Sequence, residues 1–183
     1  MAEANTRGAW VLEDACQALL SEFVGDHAEF LVYSPRKYVG GPDGGILVIN
    51  CQKDFGELNL EAVPPQWWLR SFSATVLRRE FDSYGGNRSC FHIFKRVEKE
   101  QPIGPHTMSD LSKPLFTSVF DYRSIAEQRV RNYHVLLHEL GHLAVFPDVS
   151  NHVVPLGFPI HVGDRDQVRQ ALFDHHIRRS IGK

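Results

Sequence analysis

The sequence has few cysteines, little excess charge of either sign and no long hydrophobic run. Its three cysteines, Cys16, Cys51 and Cys90, are widely spaced and odd in number, which argues against a disulfide framework or a zinc knuckle. The net charge is −2 and the basic residues are scattered. The longest apolar runs, such as GILVIN at 45–50, have the length of a strand. We therefore expect neither a nucleic-acid partner nor a membrane partner.

The N-terminal stretch MAEANTRGAW also lacks the charged-then-apolar pattern of a secretory signal. We expect a protein that is cytoplasmic, or exported without a classical signal peptide. A content of 43% hydrophobic and 23% charged residues is typical of globular domains, and a length of 183 residues fits a single domain, 1–183. The sequence leaves the oligomeric state open.

Hydrophobic periodicity predicts the elements of the first two thirds of the chain. Three- and four-residue steps predict helices over 10–23 and 66–84, the second beginning at prolines and ending at Gly85. Apolar runs at 29–34 and 45–50 predict two strands, separated by a Gly/Pro-rich turn or flexible loop. Two further strands are predicted, at 90–98, with the basic character of a sheet edge, and at 115–122.

The last third of the chain is predicted to be helical. Ser124 and Glu127 form a capping-box pattern, from which a helix would run to Val145, before Pro147. A final helix is predicted to begin at Asp164 and to continue to Gly182.

The segment HELGHLAVFPD, residues 138–148, has the composition of a metal site. On a helix, residues four apart share a face, so His138 and His142 can present imidazole nitrogens to one ion, with Glu139 beside them. Zinc (Zn2+) suits such ligands. With a third protein ligand, a water fills the open position, its pKa falls toward about 7, and Glu139 can accept its proton as the water attacks a carbonyl.

At these residues the sequence resembles the zincin metallopeptidases, whose signature is HExxH on a helix. The local pattern is similar to the snapalysin type, HExxHxxGxxD, and this resemblance implies zinc ligands at His138, His142 and Asp148 with Glu139 as general base. Val145 stands where that pattern has glycine, and no methionine follows the motif to form the methionine turn of metzincins. The resemblance covers about a dozen residues.

Four residues are candidates for the third ligand. No glutamate follows Glu139, which argues against the thermolysin-like arrangement. We favour Asp148, because chain reversal after Phe146 can bring it back to the ion. The alternative is that Asp148 is a helix-exit or Asx-turn aspartate next to proline. The other candidates for a ligand or oxyanion stabiliser are His152, His161 and His175.

These observations predict an α+β, zincin-like fold. A small twisted mixed sheet, N-terminal helices and the active-site helix would occupy 1–146, and a compact C-terminal subdomain 147–183. The expected function is that of a zinc metallopeptidase, a hydrolase whose protein or peptide substrate binds as an added strand on the edge formed by 90–98. Two rival functions stay open: a zinc hydrolase of a non-protein amide, and a non-catalytic domain whose histidines are structural.

Overall fold

The computed structural model describes residues 2–175. It combines helices with a small mixed sheet, which confirms the α+β class at the coarse level. The strands are β1 (Leu12–Asp14), β2 (Phe30–Tyr33), β3 (Ile46–Ile49), β4 (Glu61–Ala62) and β5 (His106–Thr107). The α-helices are α1 (Ala2–Thr6), α2 (Pro65–Tyr84), α3 (Ser89–Lys99), α4 (Ser112–Pro114), α5 (Tyr122–Leu140) and α6 (Arg165–Asp174).

The main sheet has the strand order β1-β2-β3. β1 is parallel to β2, with Leu12 opposite Phe30, and β3 is antiparallel to β2, with Ile49 opposite Phe30. The predicted strands at 29–34 and 45–50 are therefore confirmed. β4 and β5 form a separate parallel pair.

The predicted helix over 10–23 is wrong, since this segment contains β1 followed by turns. Two local features oppose a helix there. The Asp14 carboxylate accepts a hydrogen bond from the Cys16 backbone N at 3.0 Å, a side-chain contact that competes with helical bonding. Phe23 has a φ of 59°, in the left-handed region that a helix cannot include.

The helices α2 and α3 pack against each other as a hairpin. α2 confirms the helix predicted over 66–84, and the Gly85 N–H closes it by donating to the Phe81 carbonyl at 2.8 Å. The strand predicted at 90–98 is wrong because this segment is α3. Its buried residues Cys90 and Val97 are seven apart, which is two helical turns, and the Trp67 indole N–H donates to the Val97 carbonyl at 2.9 Å.

A hydrophobic core cluster forms around Tyr38, Val39 and Phe116. The strand predicted at 115–122 is wrong: Leu115–Val119 is a π-helical turn that follows α4, and it carries Phe116 into this cluster. The close packing extends to the glycine-rich loop, because a Cβ at Gly41 would lie 2.4 Å from the Phe116 ring.

The loop at 40–45 is held in place by a buried carboxylate. Asp43 is only 3% exposed and accepts hydrogen bonds from the Ser109 backbone N at 2.7 Å and the Ser109 hydroxyl at 2.6 Å. The hydroxyl of buried Ser112 also donates to this carboxylate. These bonds supply the partners that a buried charge requires, so the loop has a defined conformation despite its glycine content.

The long helix α5 begins and ends differently from the sequence prediction. Its cap is Asp121, whose carboxylate accepts from the Ser124 backbone N at 3.0 Å, so the predicted Ser124–Glu127 capping box is wrong. The helix ends at Leu140 instead of Val145, and a 3-10 turn, Gly141–Leu143, follows. For α6, the Asp164 cap on the Gln167 N–H is confirmed at 2.9 Å.

The predicted continuation of the last helix to Gly182 includes 176–183, which lie outside the described residues. Within residues 2–175, no helix is long and apolar enough to cross a membrane.

Candidate metal site

The motif residues lie at the exposed end of α5. Tyr133, only 5% exposed, marks the buried side of the helix, where its ring contacts that of Phe158 at a centroid distance of 4.9 Å. His138 follows five residues later and so lies about 140° around the helix from Tyr133. Its side chain is 85% exposed and that of Glu139 is 68% exposed. Both groups are accessible from solvent.

His138 and Glu139 contact each other. The Nδ1 atom of His138 lies 2.9 Å from the Oε1 atom of Glu139. A carboxylate bonded to Nδ1 favours the tautomer with the proton on that atom, which leaves the lone pair of Nε2 for a metal ion. This arrangement fits one zinc ligand.

His142 is exposed and lies in the 3-10 turn beyond the helix. The backbone at Leu140, with a φ of −121°, interrupts the α-helix between the two histidines. The prediction that His138 and His142 share one uninterrupted helical face is therefore wrong. They remain within one turn of each other along the chain, and imidazole is a preferred zinc ligand, so the donor types of this pair fit zinc.

The chain reverses direction directly after this turn. Ala144 forms an antiparallel bridge with Ile160, flanked by hydrogen bonds from the Val145 N–H to the Pro159 carbonyl at 3.0 Å and from the His161 N–H to the Leu143 carbonyl at 2.8 Å. Among residues 2–175, Phe23 is the single non-glycine residue with a positive φ, so Val145 does not need the conformation that favours glycine.

The exit segment is also tied back onto α5. The Tyr133 hydroxyl donates to the Phe146 carbonyl at 2.6 Å. Asp148 is exposed and follows Phe146 by two residues. Tyr133 was not predicted from the sequence as a positioning residue, although a tyrosine on the apolar side of the motif helix is a signal for one, since the hydroxyl of a buried tyrosine requires a partner.

Across residues 2–175, no three His, Cys, Asp or Glu side chains form a group that could hold a metal ion. In this conformation none of Asp148, His152, His161 and His175 is assembled with His138 and His142 into such a group, and the role of Asp148 as third ligand stays a prediction. The other three candidates, His152, His161 and His175, differ in the contacts that their side chains and backbone make.

His152 is bound to the N-terminal part of the chain. Its Nδ1 atom lies 2.7 Å from the Glu22 Oε2 atom, and its ring contacts that of Phe23 at 4.8 Å. The Glu22 N–H donates to the His152 carbonyl at 2.9 Å. This side chain has a structural partner, which the sequence could not reveal because the two residues are 130 positions apart.

His161 and His175 are both exposed. His175 ends α6, where its N–H donates to the Ala171 carbonyl at 3.1 Å. His161 has its backbone bonded next to His142, through the Leu143 carbonyl. Of the candidates for the third ligand, His161 is the one whose backbone is fixed beside the motif.

No family model matches the chain, and comparisons with curated proteins and with solved structures also gave no match.

Proposed function

We propose that the protein is a zinc-dependent hydrolase that cleaves peptide bonds, with a zincin-like arrangement of its motif. The observation that carries this proposal is the exposed group at the end of α5, in which Glu139 contacts Nδ1 of His138 and His142 follows one turn later. Two imidazoles and a neighbouring carboxylate are the groups that a hydrolytic zinc site needs from a single helix end.

Each residue of this group has a role in the proposal. His138 and His142 hold the ion. Zinc, when bound, supplies a Lewis acid and lowers the pKa of water. Glu139 accepts the proton of the attacking water and then returns it to the leaving amine. Because the Glu139 carboxylate is 68% exposed, it can reach a water and a substrate without unfolding of the helix end.

Substrate binding as an added strand needs a different edge from the one predicted by sequence, since 90–98 is helical. The Ala144–Ile160 bridge begins two residues after His142. We propose that a protein or peptide substrate lies along this segment, where backbone hydrogen bonds would supply affinity with little dependence on sequence.

The test combines metal content with cleavage. Zinc measured by plasma mass spectrometry should be near one equivalent in the wild type and in Glu139→Gln, and reduced in His138→Ala and His142→Ala. Glu139→Gln should lower cleavage of casein or of a peptide library by at least about 100-fold, the lower limit typical of proton transfer by a positioned group. His134→Ala, an exposed histidine on the same helix, is the matched control.

Other outcomes identify the rival functions. Stoichiometric zinc without cleavage of any polypeptide, together with turnover of small amides, would replace the peptidase by a hydrolase of a non-protein amide. A wild type that retains no zinc after dialysis would leave the histidines with a structural role only.

A further inference from the structure

The main sheet of β1, β2 and β3 has an outer face that carries six apolar side chains, those of Trp10, Leu12, Phe30, Leu47, Ile49 and Phe55. We infer that this outer face is the interface of a homodimer, in which the sheets of two copies of the chain pack face to face. The exposure of these side chains and the charges at the two ends of the face carry the inference.

The two faces of the sheet differ in their exposure. Strand register places Leu12, Phe30 and Ile49 in one row across the three strands, and Leu47 shares their side because it is two residues from Ile49. Leu12 is 61% exposed and Leu47 is 52% exposed. Leu31 lies on the opposite face and is buried. The sheet therefore packs one face into the molecule and leaves an apolar face in solvent.

Aromatic residues extend the outer face beyond the row of Leu12. The Trp10 ring lies 5.7 Å from the Phe30 ring, and the Phe55 ring lies 5.6 Å from the Phe30 ring, as centroid distances. Both Trp10 and Phe55 are exposed. Single exposed apolar residues are ordinary, but a contiguous group of them marks an interaction surface.

The outer face has opposite charges at its two ends. At one end, the Lys53 Nζ atom lies 5.4 Å from the centre of the Trp10 ring and 5.7 Å from that of Phe55. At the other end lies exposed Asp14, which shares the side of Leu12 because the two residues are separated by one position in β1. Trp10 and Asp14 are four residues apart, about 13 Å along an extended chain.

This arrangement is self-complementary under a two-fold axis. The axis lies between the two sheets and runs across their strands, along the row of Leu12, Phe30 and Ile49. Rotation about it packs this row against its own copy and places Lys53 of each copy beside Asp14 of the other. Two sheets packed in this way have aligned strands and lie about 10 Å apart, as in a β-sandwich. The apolar rows supply affinity, and the two ion pairs determine the orientation.

The first experiment measures the oligomeric state of the full chain by sedimentation equilibrium over a range of concentrations. The wild type should sediment with twice the mass of the chain. Leu47→Lys should raise the dissociation constant of the dimer by at least about 100-fold, because each dimer would bury two unpaired ammonium groups. The matched control is Leu69→Lys, at a leucine of α2 that is 49% exposed, and it should dimerise like the wild type.

A pair of charge reversals tests the orientation. Asp14→Lys and Lys53→Asp each place like charges opposite each other twice in the dimer, so each should weaken dimerisation by about 10-fold or more. The double variant has opposite charges again and should dimerise within about threefold of the wild type. A folding defect would accumulate in the double variant instead of cancelling, and circular dichroism of each variant should match that of the wild type.

The result that overturns the inference is equally direct. A wild type that stays monomeric at the highest concentration measured overturns it, and so does a dimer that Leu47→Lys leaves intact, since the contact would then lie elsewhere on the molecule. Weak dimerisation of the double charge variant, like that of the single variants, would overturn the two-fold arrangement. These measurements use neither metal nor substrate, so their outcome is independent of the proposed function.

Discussion

At the scale of single residues, two tyrosines of α5 make the same kind of contact with different consequences. The Tyr122 hydroxyl donates to the Phe116 carbonyl at 2.8 Å, and the Tyr133 hydroxyl donates to the Phe146 carbonyl at 2.6 Å. The first bond joins the start of α5 to the preceding turn. The second joins the helix to the segment that leaves the motif, so it can affect the candidate site as well as stability.

Tyr133→Phe and Tyr122→Phe form a matched pair of substitutions. Each removes one hydroxyl donor and should lower the free energy of unfolding by about 1 kcal/mol, measured by urea denaturation. Only Tyr133→Phe should increase amide hydrogen exchange in 144–148, because of these two tyrosine bonds only that of Tyr133 holds the exit segment. Equal exchange in that segment for both variants would show that the Ala144–Ile160 bridge alone determines its position.

The residues of the candidate site were predictable to the extent that their chemistry is local. His138, Glu139 and His142 were predicted as a candidate site from the HExxH spacing, which is that of one helical turn, although α5 ends at Leu140, between the two histidines. The contact between Glu22 and His152 could not be identified, because it joins the two ends of the chain and depends on how the whole molecule folds. For the same reason, the backbone pairing that brings His161 beside the motif left no pattern in the sequence.

At the scale of elements, the beginning of α5 provides a direct comparison of a predicted cap with an observed one. Asp121→Ala removes the carboxylate that accepts from the Ser124 N–H, so it should lower the free energy of unfolding by about 1 kcal/mol. Ser124→Ala, at the cap expected from sequence, should change it by less than about 0.5 kcal/mol. Chemical denaturation of both variants measures this, and a larger loss for Ser124→Ala would restore the capping box.

The helices and strands that were predicted correctly are those whose local sequence pattern has only one interpretation. β2 and β3 were found because each is a short apolar run between turn residues, and α2 was found because its start and stop are marked by Pro65 and Gly85. α3 was mistaken for a strand because Phe91 and Ile93 alternate with a polar residue, although its buried residues follow a helical period. The segment 10–23 has helical periodicity, but pairing with β2 and the turn at Phe23 override it.

At the scale of the whole molecule, Tyr38 and Arg129 connect distant parts of the chain. The Arg129 guanidinium lies 4.9 Å from the centre of the Tyr38 ring and donates to the Leu156 carbonyl at 3.2 Å. The Tyr38 hydroxyl donates to the Gln17 carbonyl. Thus α5, the N-terminal segment and the returning C-terminal segment meet at one buried phenol, and the stability of the molecule should respond to the ionisation of that phenol.

Burial raises the pKa of Tyr38 above its ordinary value of 10.0, and the nearby Arg129 charge offsets only part of this effect. Below about pH 10, the phenol is neutral in both folded and unfolded chains, and its contribution to stability is fully present. As the pH rises further, the unfolded chain loses the proton first, so this contribution is lost as the pH passes through the raised folded-state pKa.

Tyr38→Phe should therefore lower the free energy of unfolding by about 1 kcal/mol at pH 8, through loss of the bond to Gln17, and by progressively less above pH 10. Urea denaturation between pH 8 and pH 11 measures this convergence. Tyr84→Phe, at a tyrosine that is 88% exposed, provides the control and should parallel the wild type throughout. A difference between wild type and Tyr38→Phe that stays constant with pH would show that the contact among these three segments does not depend on a neutral phenol.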